Sequence, residues 1–240
     1  MDNNKPHFNV VIATPGNSFT PGYMRSILLT THMLNKEGLT WNFLNQGGSL
    51  VAMARESTIG GWDTNNIKMT EPCSGEWTYD KIIWIDSDIE WDVADFFKLY
   101  NSNKDIISGC YLMEDRHIPI YNQPRGGMMP EHILMQRTEP FKVAGAGFGF
   151  LAVKSGVFEK MPRPWFGPVA IPNTDENKDI SPEFILIGED LSWCTKAINC
   201  GFDIWVDPKV RVTHQKTFKL YWADVLQRAQ MEMKNNEATV

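Results

Sequence analysis

The segment Lys81-Ile82-Ile83-Trp84-Ile85-Asp86-Ser87-Asp88 runs an apolar stretch directly into two carboxylates separated by one residue. On an extended chain, side chains at i and i+2 project to the same side. Asp86 and Asp88 can therefore share one hard divalent cation through oxygen. They also stand at the carboxyl end of a predicted strand, where open α/β sheets bind ligands. A cation held there would stabilise the negative charge left on a diphosphate when the glycosidic bond of a nucleotide sugar breaks. Two acids can equally do no more than solvate a strand end, so their surroundings decide.

A second acid pair, Gly188-Glu189-Asp190, opens a predicted helix. A carboxylate there can accept the proton of an attacking hydroxyl, and acids at a helix N-terminus also favour the dipole without any chemistry. The roles of Glu189 and Asp190 are exchangeable at this stage. His214 follows the strand-like Val210-Arg211-Val212; imidazole beside carboxylates suits Mn2+ better than Mg2+, while a histidine satisfied at a strand end is the plainer alternative. Lys216 can neutralise diphosphate charge or face solvent. Glu90, Asp92 and Asp95 lie just past the first acid pair but read as solvated or first-turn residues of a helix, not further ligands. Trp165 and Phe166 read as a sugar platform or as loop packing.

Strands and helices must hold these residues, and the hydrophobic pattern supplies them in alternation. Residues 8–13 form a short run rich in β-branched side chains, stopped by Thr14-Pro15-Gly16, which predicts a buried strand. Met24, Ile27, Leu28, Thr31 and Leu34 keep helical spacing behind Pro21, and Gly38 ends that helix. Residues 39–44 predict a second strand and 49–59 a helix with Leu50, Met53, Ala54 and Ser57 near one face. Further strands are predicted at 81–85, 105–111 and 183–187, with a helix at 92–100. Such alternation implies a largely parallel sheet covered on both faces. Residues 141–153 read as strand, glycine-rich bend, strand, which makes the sheet mixed. Within them, Ala144-Gly145-Ala146-Gly147-Phe148-Gly149 lacks the strand-loop-helix context of a dinucleotide fingerprint; its small residues allow either close approach to a ligand or a tightly packed bend. Residues 119–130 and 161–173 predict long loops, and 218–236 a helix docked on the core.

The 240 residues fit one large domain, and a 42% hydrophobic fraction with nine Trp and thirteen Phe excludes a disordered chain. A formal net charge of −6 argues against general nucleic-acid binding. Cys73, Cys110, Cys194 and Cys200 form no C-x-x-C pair, which predicts reduced thiols rather than a zinc ribbon or disulfide framework. No basic segment followed by an apolar run opens the chain, and no stretch is long enough to span a bilayer, so a cytoplasmic protein is expected.

Five blocks, VVIATPG (10–16), SLVAMARE (49–56), DSD (86–88), GED (188–190) and VTHQK (212–216), occur in the order found in GT-A glycosyltransferases. The chain resembles that group, and is similar to its family-2-like enzymes, from Val10 to Lys216. The resemblance implies a single GT-A domain over 1–240, with a Rossmann-like nucleotide-binding half at about 8–112 and an acceptor half at about 113–216. It implies transfer of a sugar from a nucleotide-diphosphate donor to a glycan or other hydroxyl-bearing acceptor, with inversion, using Mn2+ or Mg2+. Carried over by position, it puts Thr14 and Pro15 at the nucleobase and Arg55 near the nucleotide, although Arg55 read alone is as well a solvated helix residue. It makes Asp86, with Ser87 beside it, a ribose or metal contact, Asp88 the principal metal ligand, and His214 the residue closing the metal shell. Gly145, Ala146 and Gly147 would line the donor-sugar and acceptor pocket, Lys216 would meet the diphosphate, Asp190 would be the base and Glu189 an acceptor contact. A sugar-1-phosphate nucleotidyltransferase is the enzymatic rival, weakened by an early loop that offers only Arg25. A silent nucleotide-sugar or carbohydrate-binding protein is the other, weakened by retention of every acid in DSD and GED.

Overall fold

The computed structural model describes residues 5–60, 71–123, 127–172 and 184–216. The chain opens with β1 (His7–Pro15), α1 (Pro21–Lys36), β2 (Trp41–Gln46) and α2 (Val51–Thr58), two successive β-α units. Then come β3 (Thr78–Ile85), β4 (Ile89–Glu90), α3 (Val93–Asn101), β5 (Ile106–Cys110), β6 (Ile120–Tyr121) and α4 (Glu131–Met135). The remainder holds β7 (Phe141–Val143), β8 (Gly145–Ala146), β9 (Phe150–Lys154), α5 (Val157–Lys160), β10 (Val169–Pro172), β11 (Phe184–Ile187), α6 (Glu189–Asn199), β12 (Ile204–Arg211) and β13 (Thr213–His214). The helix expected at 218–236 lies outside the described residues.

Among the described residues the main sheet has seven strands in the order β2-β1-β3-β9-β5-β12-β7. β1 pairs in parallel with β2 and β3, and β5 with β12. β9 runs against both β3 and β5, and β7 against β12. The sheet is thus mixed, five of its strands sharing one direction, and strands from both sides of residue 112 build it. One expectation is corrected: β11 does not join this sheet but pairs with β10 in a separate antiparallel ribbon. Its exposed Phe184 and Leu186 explain why, since a strand buried between parallel neighbours would have to cover both faces.

Period-two alternation splits the core into two layers. Val11, Ala13, Ile82, Trp84 and Leu151 face Trp165, Phe166 and Trp193 on one side. Val10, Ile12, Ile83, Ile85 and Phe150 face Tyr23, Leu34, Phe96 and Leu99 on the other. Trp165 and Phe166 are fully buried in the first layer, which selects loop packing over a sugar platform. The buried Glu56 carboxylate fixes their loop by accepting the backbone N–H groups of Trp165 and Phe166 at 3.1 and 2.9 Å.

The inward faces of the first two helices differ from the predicted ones. α1 buries Gly22, Tyr23, Ser26, Thr30 and Leu34, leaving Met24 and Leu28 exposed. Polar pairing sets this rotation: Ser26 donates to the Trp91 carbonyl at 2.7 Å, Trp91 Nε1 donates to Thr30 at 2.9 Å, and Tyr23 pairs with Thr14 at 2.6 Å. Likewise α2 turns Ala54, Arg55, Glu56 and Thr58 inward and leaves Leu50, Val51 and Met53 exposed. α3 begins after Asp92 with Asp95 in its first turn, where Asp95 pairs with Lys98; Glu90 pairs with Arg25. None of these three acids pairs with Asp88, His214 or Lys216. No helix among the described residues is long and apolar enough to cross a membrane.

β3 is anchored to α3 by one buried cation. Lys81 Nζ donates to the carbonyls of Leu99 at 3.1 Å and Tyr100 at 2.6 Å, and to that of Ser102, so it caps the helix at its negative end. Replacing Lys81 with Met keeps the apolar stem and removes this donor. The expected loss is about 2 kcal/mol of unfolding free energy, read as a lower urea midpoint at unchanged slope.

Candidate active site

The topology brings several chain segments to one edge of the sheet. β1 and β3 end there and lead into Pro15-Gly16 and Asp86-Ser87-Asp88, and β12 ends there ahead of His214. Because β9 is reversed, its beginning lies at the same edge, and the Asp86 N–H bonds the Gly149 carbonyl at 3.0 Å. The glycine-rich bend is thereby set beside the acid pair. The Asp88 turn is closed from the other side by β13, which pairs His214 with Ile89, and by Gln215 N–H on the Asp88 carbonyl at 2.7 Å. Gly16 sits at φ +143°, and a Cβ there would come within 2.5 Å of Ser87 Oγ, so only glycine permits this crossing.

Arg55 is the hub. It is 3% exposed, and its guanidinium donates to Glu189 at 2.8 Å, to both Asp86 oxygens at 3.1 and 3.3 Å, and to Asp190. The Phe148 ring lies 5.4 Å from the guanidinium carbon. One cation therefore gathers acids from β3's end and from the start of α6, which are about a hundred residues apart in sequence. One guanidinium cannot balance three carboxylates. Burial pushes the Asp190 carboxyl up to about 7, with Arg55 opposing and Glu189 and Asp86 adding to the rise. Asp190 also accepts the Phe148 N–H at 3.3 Å.

The second charged group is Asp88 with His214 and Lys216. His214 Nε2 lies 3.0 Å and Lys216 Nζ 2.9 Å from the same Asp88 oxygen, Oδ2. Burial alone would raise the Asp88 carboxyl; hydrogen bonds from His214 and Lys216 outweigh it and hold it at about 2. His214 Nδ1 lies 2.7 Å from the Leu112 carbonyl, which can only accept, so Nδ1 carries a proton. Nε2 then faces a carboxylate oxygen, and either a proton or a metal ion must lie between them. The hydrogen bond to Asp88 accordingly raises the His214 pKa. The same backbone anchor on Nδ1 is how a metal-ligating histidine is oriented. Asp88 and His214 thus fit as two ligands of Mn2+ or Mg2+. Asp86 does not join them in this arrangement, since its carboxylate is turned to Arg55, and among the described residues no group of three His, Cys, Asp or Glu is set to hold a metal.

Two pockets flank the hub. The first, of about 330 Å³, is lined by Pro15, Gly16, Ser49, Ala54, Asp86, Ser87, Asp88, His214 and Lys216 among others. The second, of about 350 Å³, is lined by Tyr121, Ile185 to Ile187 and Gly188 to Leu191, and so contains Glu189 and Asp190.

Solved structures resemble this arrangement of the backbone. The chain is similar to A197 from STIV, at 16% identity over 89% of this chain and 97% of that one, with a TM-score of 0.48. It is similar to GalNAc-T7, solved with UDP, GalNAc and Mn2+, at 13% identity over 91% of this chain, with a TM-score of 0.49. The match spans 45% of that longer chain. A third similarity is to the catalytic domain of Drosophila beta1,4galactosyltransferase 7, in complex with xylobiose, at 11% identity, a TM-score of 0.45, and coverage of 93% and 79% of the two chains. No protein-family model and no curated protein sequence matches the chain.

Several expected site residues sit differently from a ligand contact. Thr14 is fully buried with its hydroxyl on Tyr23, so Pro15 and Gly16, not Thr14, face the first pocket. Gly145, Ala146 and Gly147 are buried and back the site: a Cβ on Gly145 would meet Leu191 at 2.4 Å, and one on Gly147 the Tyr111 hydroxyl at 2.1 Å. Their smallness serves the packing of α6 and Tyr111 against the bend. Tyr111 and Tyr121 are additions that the sequence did not single out. Tyr111 is buried with its hydroxyl accepting the Gly149 N–H at 3.1 Å, and its ring edge meets His214. It therefore touches both the bend and the His214 ring, a role that its place as the last residue of a predicted strand could have suggested.

Replacing Arg55 with Met leaves three carboxylates around an apolar stem. The expected cost is about 3–5 kcal/mol of stability near neutral pH. Carboxyls whose folded pKa lies above the unfolded value contribute stability at low pH and lose it as pH rises through the folded value. Denaturation midpoints should therefore show the deficit shrinking toward acid pH and widening above neutrality.

Proposed function

We propose that this chain is a metal-dependent GT-A glycosyltransferase, similar to the family-2-like enzymes, which moves a sugar from a nucleotide-diphosphate donor to an acceptor hydroxyl with inversion. The Arg55 bridge carries this reading: one guanidinium joins an acid turn lining one pocket to an acid pair lining another. Two ligand spaces meeting at a charged hub suit a reaction between a donor and an acceptor, and both are of a size that takes small ligands.

In this reading the donor lies in the first pocket, over Pro15, Gly16 and Ser87. Asp88 and His214 would hold Mn2+ or Mg2+, which when bound supplies positive charge against the departing diphosphate. Lys216, in the same pocket, adds a further cation for the phosphates. The acceptor lies in the second pocket, beside Tyr121. Asp190 takes the proton of its hydroxyl as that oxygen attacks the anomeric carbon, and Glu189 holds the acceptor. A carboxyl raised toward neutrality is a stronger base than an ordinary one while still largely ionised at slightly alkaline pH. Arg55 acts through Asp190, fixing its orientation, and is a positioning residue.

Thermal denaturation against a panel of nucleoside diphosphates and nucleotide sugars, with and without Mn2+, identifies the donor by selective stabilisation. With that donor, Asp190→Asn is expected to lower kcat by about 10²–10⁴-fold at a near-normal donor KM. The wild-type kcat should rise with pH through the neutral range as Asp190 loses its proton. Full transfer by Asp190→Asn, or full activity after rigorous chelation, would overturn the reading, and pyrophosphate release from a nucleoside triphosphate and a sugar phosphate would replace it with nucleotidyl transfer.

A further inference from the structure

Asp88 Oδ2 has two nitrogen partners, His214 Nε2 and Lys216 Nζ, and only one of them is held firmly. The His214 side chain is 11% exposed, anchored through Nδ1 to Leu112 and packed against Tyr111. The Lys216 side chain is 34% exposed and lines the first pocket, so its ammonium can leave Asp88 without disturbing the core. Its backbone is tethered nearby, since the preceding residue, Gln215, donates its N–H to the Asp88 carbonyl. A divalent ion taking up Asp88 Oδ2 and His214 Nε2 would stand beside the Lys216 ammonium, and like charges at that separation repel strongly in a partly desolvated pocket. A diphosphate entering the same pocket offers that ammonium an anionic partner instead.

We propose that Lys216 is a tethered cation that occupies Asp88 while the site is empty and moves to the donor's phosphates when they arrive, so that metal and diphosphate bind with positive coupling. The proposal rests on the metal-dependent reading above and adds an order to it. The metal alone binds weakly because it must displace Lys216; a diphosphate lifts that competition. By reciprocity the metal strengthens diphosphate binding by the same factor.

Two measurements on the whole chain test it, neither of which needs turnover. Free Mn2+ followed by electron paramagnetic resonance, without nucleotide, is expected to give Lys216→Met a dissociation constant at least about fivefold lower than wild type, the scale of one modest ion pair. Asp88→Asn should abolish that binding. In the wild-type protein, acylation of Lys216 by an amine-reactive ester, followed by peptide mass spectrometry, is expected to speed up on adding Mn2+ and slow again on adding inorganic pyrophosphate. An unchanged or weaker Mn2+ affinity in Lys216→Met, with Asp88→Asn still defective, sinks the tethered-cation proposal and leaves the metal site standing. So does a Lys216 acylation rate indifferent to Mn2+, a result that holds even if the Met variant fails to fold. No Mn2+ binding by wild type, with or without pyrophosphate, sinks both the proposal and the metal-dependent reading.

Discussion

A single buried guanidinium holds Asp86, Glu189 and Asp190 together at this edge of the sheet. Taking a charge out of water costs several kcal/mol, and a cage of three carboxylates with an aromatic face is the kind of surrounding that offsets it. The cage is over-supplied with negative charge, three carboxylates to one guanidinium. Together with burial, which contributes most, that excess holds the Asp190 carboxyl well above the ordinary carboxylate range. Remove the cation, and the three acids have no reason to converge; remove the acids, and the cation has no reason to be buried.

The helix that carries Arg55 is oriented by two adjacent charged residues with opposite tasks. Consecutive side chains on a helix point about 100° apart, so Arg55 reaches the acids at the sheet's end while Glu56 reaches the loop holding Trp165 and Phe166. These paired clamps fix the rotation of α2 more strongly than its apolar residues do. They account for Leu50, Val51 and Met53 standing in solvent, Val51 beside the first pocket. α1 follows the same logic, where Tyr23, Ser26 and Thr30 set the inward face through hydrogen bonds.

Sequence periodicity therefore reveals the elements better than their faces. β1, β2, β3, β5 and the first three helices lie where alternation of apolar runs and turn residues puts them, and the mixed character of the sheet was readable in the glycine-rich bend before β9. The inward faces of α1 and α2 were not, because an apolar count is blind to a hydroxyl paired across a core. The acids of DSD and GED and the late His214 could be picked out by type and by their place at element ends. What no one-dimensional pattern contains is the partner of each. That Arg55 would serve three acids, that Asp86 would turn to it and away from Asp88, and that Thr14 would be spent on Tyr23 all depend on contacts between segments remote in the chain. For the small residues of the bend, close approach to a ligand and tight packing were both open readings, and the contacts are those of packing: Gly145 lies against Leu191 and Gly147 against Tyr111.

The reversed strand β9 also governs when this molecule can become whole. It lies between β3 and β5, yet it is made after both, so the two halves of the sheet have no seam between them until residue 154 has been added. β12 must then dock beside β5, nearly a hundred positions later in the chain. Such remote pairings are slow to form because the entropy of closing long loops precedes their reward. A growing polypeptide can settle its first β-α units early, but the charged edge is among the last parts to assemble, and a chain interrupted before residue 204 would have a partly built sheet with an unfinished centre of charge.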